Sequence, residues 1–407
     1  DSRHDVEILD LFSHFATIPV GYNHPSLKEP SFLEELRRAA LTKPANSDIY
    51  TEEMARFVET FARVAVPPSH SEHLFFVEGG SVGVENALKA AFDWKVRRNF
   101  RKGYRREVGQ QVVHFEQAFH GRTGYSLSLT NTADPRKTMY FPKFRWPRIV
   151  NPKLRFPVDA AELERVEKVE SLAIAQVKQA LVENRDDLAA LIIEPIQAEG
   201  GDNHFRTEFL AALRQLCDEN EMLLVCDEVQ TGVGLTGSMW GFQTMGVVPD
   251  LFAFGKKMQV CGFASNGRIL DEAENVFTVS SRINSTWGGN LVDMVRARKY
   301  LEIIEEEKLV ENARAVGTVL LEELAALSAE FPGKVTNVRG RGLFIAFDLP
   351  DGATRGNVLS TMLQKHHVMA LACGESSIRL RPALTLGRDE ALLGVKRLRA
   401  ALAEVLG

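Results

Sequence analysis

Short, mostly apolar runs recur through the middle of the chain, and helix-forming stretches alternate with them. HLFFV (73–77), QQVVHF (110–115), LAALIIEPI (188–196), MLLVCDE (222–228) and LFAFG (251–255) are such runs. Strands this short and this apolar need cover on both faces, as in a mostly parallel α/β sheet. The intervening stretches supply the cover. VENALKAAFDWKVRR follows the first run, 159–184 precedes the third with Leu163, Val166, Val169, Val177 and Leu181 expected on one face, and 207–220 precedes the fourth. GFQTMG reads as a further short helix. Earlier, 52–65 puts Met54, Phe57, Val58, Phe61 and Ala65 at helical spacing after an acidic first turn.

Past residue 291 the pattern changes. Two long helical stretches, 291–307 and 309–331, precede VTNVRGRGLFIAFDLP, a strand pair around glycines. A helix, the strand SIRLRP and a last helix over 388–406 follow. The expected organisation is a large domain over 51–290, a smaller α+β domain over 291–407, and a segment 1–50 packing partly against the smaller one.

Composition narrows the function. With 407 residues, 45% hydrophobic and 25% charged, the chain is neither disordered nor fibrous. Its 49 basic and 54 acidic residues sum to −5, which argues against nucleic acid or an anionic membrane as partner. No apolar run reaches about 18 residues, so no membrane span is expected. The first ten residues, DSRHDVEILD, are too charged for a signal peptide. Cys217, Cys226, Cys261 and Cys373 have no paired spacing, and the histidines no metal-ligand spacing. A metal-free, cytoplasmic enzyme of small molecules is expected.

In an open α/β sheet, polar residues at the carboxyl ends of strands converge on a ligand crevice. After HLFFV stand Glu78-Gly79-Gly80-Ser81-Val82-Gly83 and then a helix. Glycines let the backbone approach an anion, and the free N–H groups of a helix start carry partial positive charge, so a phosphate would suit. The spacing is neither that of a dinucleotide fold nor that of a P-loop, and a plain tight turn remains an equal reading. Glu194, inside its apolar run, must be paired or hydrogen-bonded, with a structural ion pair and a role in the site both open.

Asp227 and Lys256 end two further strands, 29 residues apart. Alone, each could be a solvated strand end. Together they suit pyridoxal phosphate. A desolvated lysine forms a Schiff base with an aldehyde, and an aspartate opposite a pyridine nitrogen keeps it protonated. At ~4 Å and an effective dielectric of ~20 that contact is worth roughly 4 kcal/mol, or about three pKa units.

The segments EGGSVGVENALKAA, FHGRTGYSLSLTN, EPIQAEGGD, DEVQTGVGLTG, PDLFAFGKK and NSTWGGN resemble the class III aminotransferases, pyridoxal-phosphate enzymes of fold type I. KPANSDIYTEEMARFVETFARV and FGKKMQVCG are similar to the L-lysine 6-aminotransferase branch in particular, and the likeness runs from about Leu11 to Val405. The resemblance implies a catalytic pair, Lys256 carrying the cofactor and Asp227 facing its ring nitrogen, with Lys257 as the alternative tether. It implies that Gly80 and Ser81 hold phosphate, that Phe119 stacks on the ring with His120 beside it, and that Gln230 reaches the phenolic oxygen. Ser285 and Thr286 would contact phosphate in the neighbouring subunit of a homodimer with shared sites. Arg379 would take the carboxylate next to the reacting carbon, Glu199 would neutralise Arg379 when a terminal amine is bound, and Arg122 would bind the far carboxylate. Arg379 and Arg381 could otherwise both decorate a strand face.

The sequence departs from the general class III pattern at Leu235, where many members have arginine, at Gly255, and at Met258-Gln259-Val260-Cys261. The last two fit the lysine branch. The implied reaction moves the ε-amine of L-lysine to 2-oxoglutarate, giving 2-aminoadipate 6-semialdehyde and L-glutamate. Ornithine or 4-aminobutyrate as donor, and an aminomutase or decarboxylase on the same fold, are the alternatives.

Overall fold

The computed structural model describes residues 6–71 and 73–407, so residues 1–5 of the expected 1–50 segment lie outside the described residues. Seven strands build the central sheet: β1 (His73–Val77), β2 (Gln111–Phe115), β3 (Arg148–Ile149), β4 (Leu188–Ile193), β5 (Leu223–Asp227), β6 (Leu251–Phe254) and β7 (Cys261–Ser265). Their order is β1-β7-β6-β5-β4-β2-β3. Pairings from β6 to β3 are parallel, and β7 runs antiparallel to both its neighbours. All six residues of β4, all five of β5 and all four of β6 are buried, as strands covered on both faces must be. Helix Gly80–Arg101 packs on β4, β6 and β7.

The sequence reading did not include β7. Its CGFAS has small residues at alternate positions, and Gly262 is needed there, since a Cβ would fall 2.0 Å from the Phe75 carbonyl. The strand closes the gap between β1 and β6, and so sets the glycine turn after β1 beside the lysines after β6.

Two elements differ from expectation. GFQTMG forms only one 3-10 turn, Gly241–Thr244. Helix Ala160–Glu183 buries Val166, Ala173, Val177 and Ala180 but leaves Leu163 exposed. Its inner face also accepts Glu162 and Glu170, because Arg165 and Arg206 neutralise them at 2.6 and 2.8 Å. Asp159 caps the helix by accepting the Glu162 N–H at 2.8 Å.

A separate antiparallel sheet has the order β10-β11-β9-β8, with β8 (Thr336–Arg341), β9 (Phe344–Asp348), β10 (Leu371–Cys373) and β11 (Ser377–Leu380). Helices Leu309–Glu330 and Gly352–Gln364 pack on it, and Arg388–Leu406 packs on those two helices. The N-terminal segment reaches this unit: Leu9–Asp10 pairs with Val368–Met369, and the Arg381 N–H donates to the Leu11 carbonyl at 2.7 Å. Helix Leu291–Glu306 packs on Pro30–Leu41 and Glu52–Val64. Beneath β6, Phe57, Phe61, Phe76 and Phe254 form an aromatic cluster, Phe61 and Phe254 with ring centroids 5.0 Å apart.

Candidate active site

The carboxyl ends of β1, β2, β4, β5 and β6 open on one cavity of about 540 Å³, closed on its far side by Leu371, Ala372 and Arg379 of the smaller sheet. Gly80, Ser81, Phe119, His120, Arg122, Glu199, Asp227, Gln230, Lys256 and Arg379 all line it. Ser285 and Thr286 do not. They sit in a separate turn, closed by Gly288 N–H to the Ser285 carbonyl at 2.9 Å.

Asp227 ends β5 with Cα opposite Ala253 of β6, three residues before Lys256. It is 5% exposed. Its Oδ2 meets His120 Nδ1 at 2.8 Å and its Oδ1 accepts the Val229 N–H at 3.1 Å. His120 Nε2 is buried without a partner among the described residues.

Lys256 follows Gly255 in the left-handed region, with φ +50°, a conformation that costs a non-glycine residue free energy. Gln259 holds the turn. Its N–H and Nε2 both donate to the Lys256 carbonyl, at 2.8 and 3.1 Å, and Nε2 also donates to the Thr17 carbonyl at 2.7 Å. Burial lowers the pKa of the Lys256 amine, Asp227 opposes that shift, and Arg379 adds to it. A depressed amine is the kind that loses its proton to act as nucleophile and base.

Lys257 is the opposite case. It is buried away from the cavity, with Nζ donating to the Gln230 carbonyl at 2.9 Å, and burial pushes its pKa well below the ordinary lysine value. Of the two lysines, Lys256 alone faces the cavity.

Among the described residues Glu194 is part of no ion pair. Its oxygens accept the Phe119 and Ala198 N–H groups at 2.9 and 3.0 Å, and burial raises its pKa to about 7. Glu228 next to Asp227 points away, accepting from Gly241 and Phe242 N–H groups at 2.9 and 2.7 Å.

The arginines of β11 and its end also separate. Arg381 is wholly buried, bonded to Asp202 at 2.5 Å. Arg379 is 5% exposed and lines the cavity, and its guanidinium has no hydrogen-bond or ion-pair partner among the described residues. The expected neutralising contact from Glu199 is not made. Glu199 instead pairs with Lys137. Arg122 is exposed at the cavity wall.

The residues fit a bound pyridoxal phosphate. The 22-residue helix starting at Gly80 aims free N–H groups at the cavity, and Gly79 has φ +101°. A Cβ on Gly80 would stand 2.9 Å from Val229, so side-chain-free backbone lines that corner. Buried, unpartnered Gln230 Oε1 and His120 Nε2 are polar atoms that a polar ring can satisfy.

Sequence reasoning missed Lys137, Leu371 and Ala372. Lys137 stands in a charged run, PRK, away from any strand end, and the other two lie on β10, which carries no clear periodic signal.

Comparison with known proteins agrees with this geometry. Residues 2–402 match the aminotransferase class-III family. The chain is 50% identical over 395 residues to an L-lysine-epsilon aminotransferase of Mycobacterium tuberculosis, covering 97% of this chain and 87% of that protein. It is 51% identical over 385 residues to an L-lysine-epsilon aminotransferase of Streptomyces clavuligerus, covering 94% and 83%. A solved structure of lysine aminotransferase from M. tuberculosis in the internal aldimine form matches with a TM-score of 0.96 at 50% identity, covering 100% of this chain and 92% of that one. With a fold type I sheet, a lysine and an aspartate at adjacent strand ends and a family match over nearly its whole length, the chain belongs to the class III aminotransferases, which use pyridoxal 5'-phosphate.

Proposed function

We propose that this chain moves the ε-amine of L-lysine to 2-oxoglutarate, forming 2-aminoadipate 6-semialdehyde and L-glutamate. The observation that carries the reading is the cavity itself: a depressed-pKa Lys256 and a buried Asp227 on one side, and an unpaired, buried Arg379 on the other. Lysine is read as the donor because the lysine-epsilon aminotransferases of M. tuberculosis and S. clavuligerus are 50% and 51% identical to this chain over the aligned residues.

Pyridoxal phosphate, when bound, supplies an electron-withdrawing ring that acidifies the substrate C–H. Asp227, held by His120, keeps a negative charge against the ring nitrogen. Gly80 and Ser81 hold the phosphate through N–H groups, with Ser285 and Thr286 of a second copy completing the cradle in a homodimer. Phe119 would pack on the ring, and Gln230 would reach its phenolic oxygen. Lys256 would tether the cofactor, and its neutral amine, once freed, would take the proton from the substrate carbon and hold it for return. Arg379 binds the keto acid's carboxylate beside the reacting carbon by a bidentate pair, and Arg122 binds the distal carboxylate. Residues 51–290 form the cofactor-binding domain and 291–407 the smaller domain that brings Arg379. All four cysteines are free and buried, which suits a reducing cytoplasm. No described helix is long and apolar enough to cross a membrane.

Purified holoenzyme incubated with lysine and 2-oxoglutarate tests this. Semialdehyde and glutamate should form in equal amounts over many turnovers, while without the keto acid no glutamate and at most one semialdehyde per active site should appear. Repeated turnover without a keto acid would point to a mutase or decarboxylase, and faster turnover of ornithine or 4-aminobutyrate would reassign the donor.

A further inference from the structure

Glu199 shares the cavity with four basic side chains, Arg122, Lys137, Lys256 and Arg379, and among the described residues is paired only with Lys137. Both partners keep 22% of their side chains exposed, whereas Arg379 is 5% exposed with no anion on it. A buried guanidinium without a counter-ion is costly, so Arg379 attracts any free carboxylate that reaches it. Glu199 Oε2 is buried without a hydrogen-bond partner, so the carboxylate is only half satisfied where it stands.

The position of the pair matters. Lys137 and Glu199 also line an outer groove with Asp134, Arg136, Arg355 and Glu375, so Lys137 holds the carboxylate at the wall between groove and cavity. The backbone beneath is fixed. The Glu199 carbonyl accepts the Gly374 N–H at 2.9 Å, and a Cβ on Gly200 would fall 2.0 Å from the Gln117 carbonyl. With the backbone so held, a change of partner would have to come from the Glu199 side chain.

We propose that Lys137 is a specificity-determining, positioning residue. By taking the Glu199 carboxylate it leaves Arg379 open to a dicarboxylic acceptor. Without it Glu199 falls to Arg379 and closes the acceptor's site. This rests on the reading of donor and acceptor above.

Glutarate, a dicarboxylate with no carbonyl to react, tests it by titration of the cofactor absorbance of the holoenzyme. Lys137→Met should weaken glutarate binding about tenfold, and Lys137→Arg less than about twofold. Lys137→Met combined with Glu199→Gln should return to near the parent value, since no carboxylate is left to occupy Arg379. Single-turnover reaction with lysine in the same preparations should change less than about twofold in Lys137→Met. Unchanged glutarate binding in Lys137→Met, a double variant as weak as the single one, or no glutarate binding by the parent enzyme would each overturn the proposal. A parent enzyme that ignores lysine but binds glutarate would sink the donor assignment, while the glutarate series still decides the part of Lys137.

Discussion

His120 Nδ1 and Asp227 Oδ2 meet at 2.8 Å on the floor of the cavity, and this is the one side-chain hydrogen-bond partner that Asp227 has among the described residues. In the tautomer that donates from Nδ1, the imidazole fixes the carboxylate while its other nitrogen stays free of protein partners.

His120→Ala should therefore leave the fold intact and lower kcat/KM for lysine by about 10- to 100-fold, the worth of one charge-assisted hydrogen bond. Steady-state kinetics with the cofactor saturating measures it. An unchanged kcat/KM would show that Asp227 needs no such support.

Asp227→Asn removes the charge and keeps the shape. With roughly 4 kcal/mol at stake, kcat should fall about a thousandfold. Single-turnover rates with lysine check this, and a loss under about tenfold would remove Asp227 from the chemistry.

Lys257→Met should keep the cofactor and most activity, because among the described residues this amine bonds only the Gln230 carbonyl. Its effect lies in stability. Burial depresses the folded-state pKa of Lys257, so between that value and the ordinary lysine value the unfolded chain binds the extra proton. The group's contribution to stability therefore grows as pH rises through that window, by up to about 1.4 kcal/mol per pH unit. Denaturant unfolding at pH 7 and pH 10 should show the parent gaining on Lys257→Met as pH rises. Parallel pH profiles would contradict it.

Gly200→Ala should cost about 3 kcal/mol, because the new methyl group meets a backbone carbonyl, that of Gln117, rather than a side chain that can turn away. Thermal unfolding reads the loss. An alanine variant as stable as the parent would show that this loop yields.

Much of the site was legible because β4, β5 and β6 are apolar almost to the last residue and then meet Glu194, Asp227 and Lys256. That abrupt change of polarity is local, and a single sequence displays it. The features that could not be read depend on partners distant in the chain. Glu170 is tolerable inside its helix face because Arg206, far along the chain, pairs with it. β7 was missed because its Gly262 and Ala264 are small to fit the neighbouring backbone, and so look like a turn. Arg379 and Arg381 are equivalent in sequence, and only the position of Asp202 buries one in an ion pair and leaves the other facing the cavity. Lys137 reaches Glu199 across 62 residues, and nothing in a charged loop announces it.

The most direct test of the central claim is reduction of the purified holoenzyme with borohydride, followed by peptide mass mapping. The account predicts one modified residue, Lys256, carrying the mass of a reduced pyridoxyl phosphate, and no such adduct in Lys256→Ala. An adduct on Lys257 or on any other lysine, or none in protein saturated with the cofactor, would contradict it.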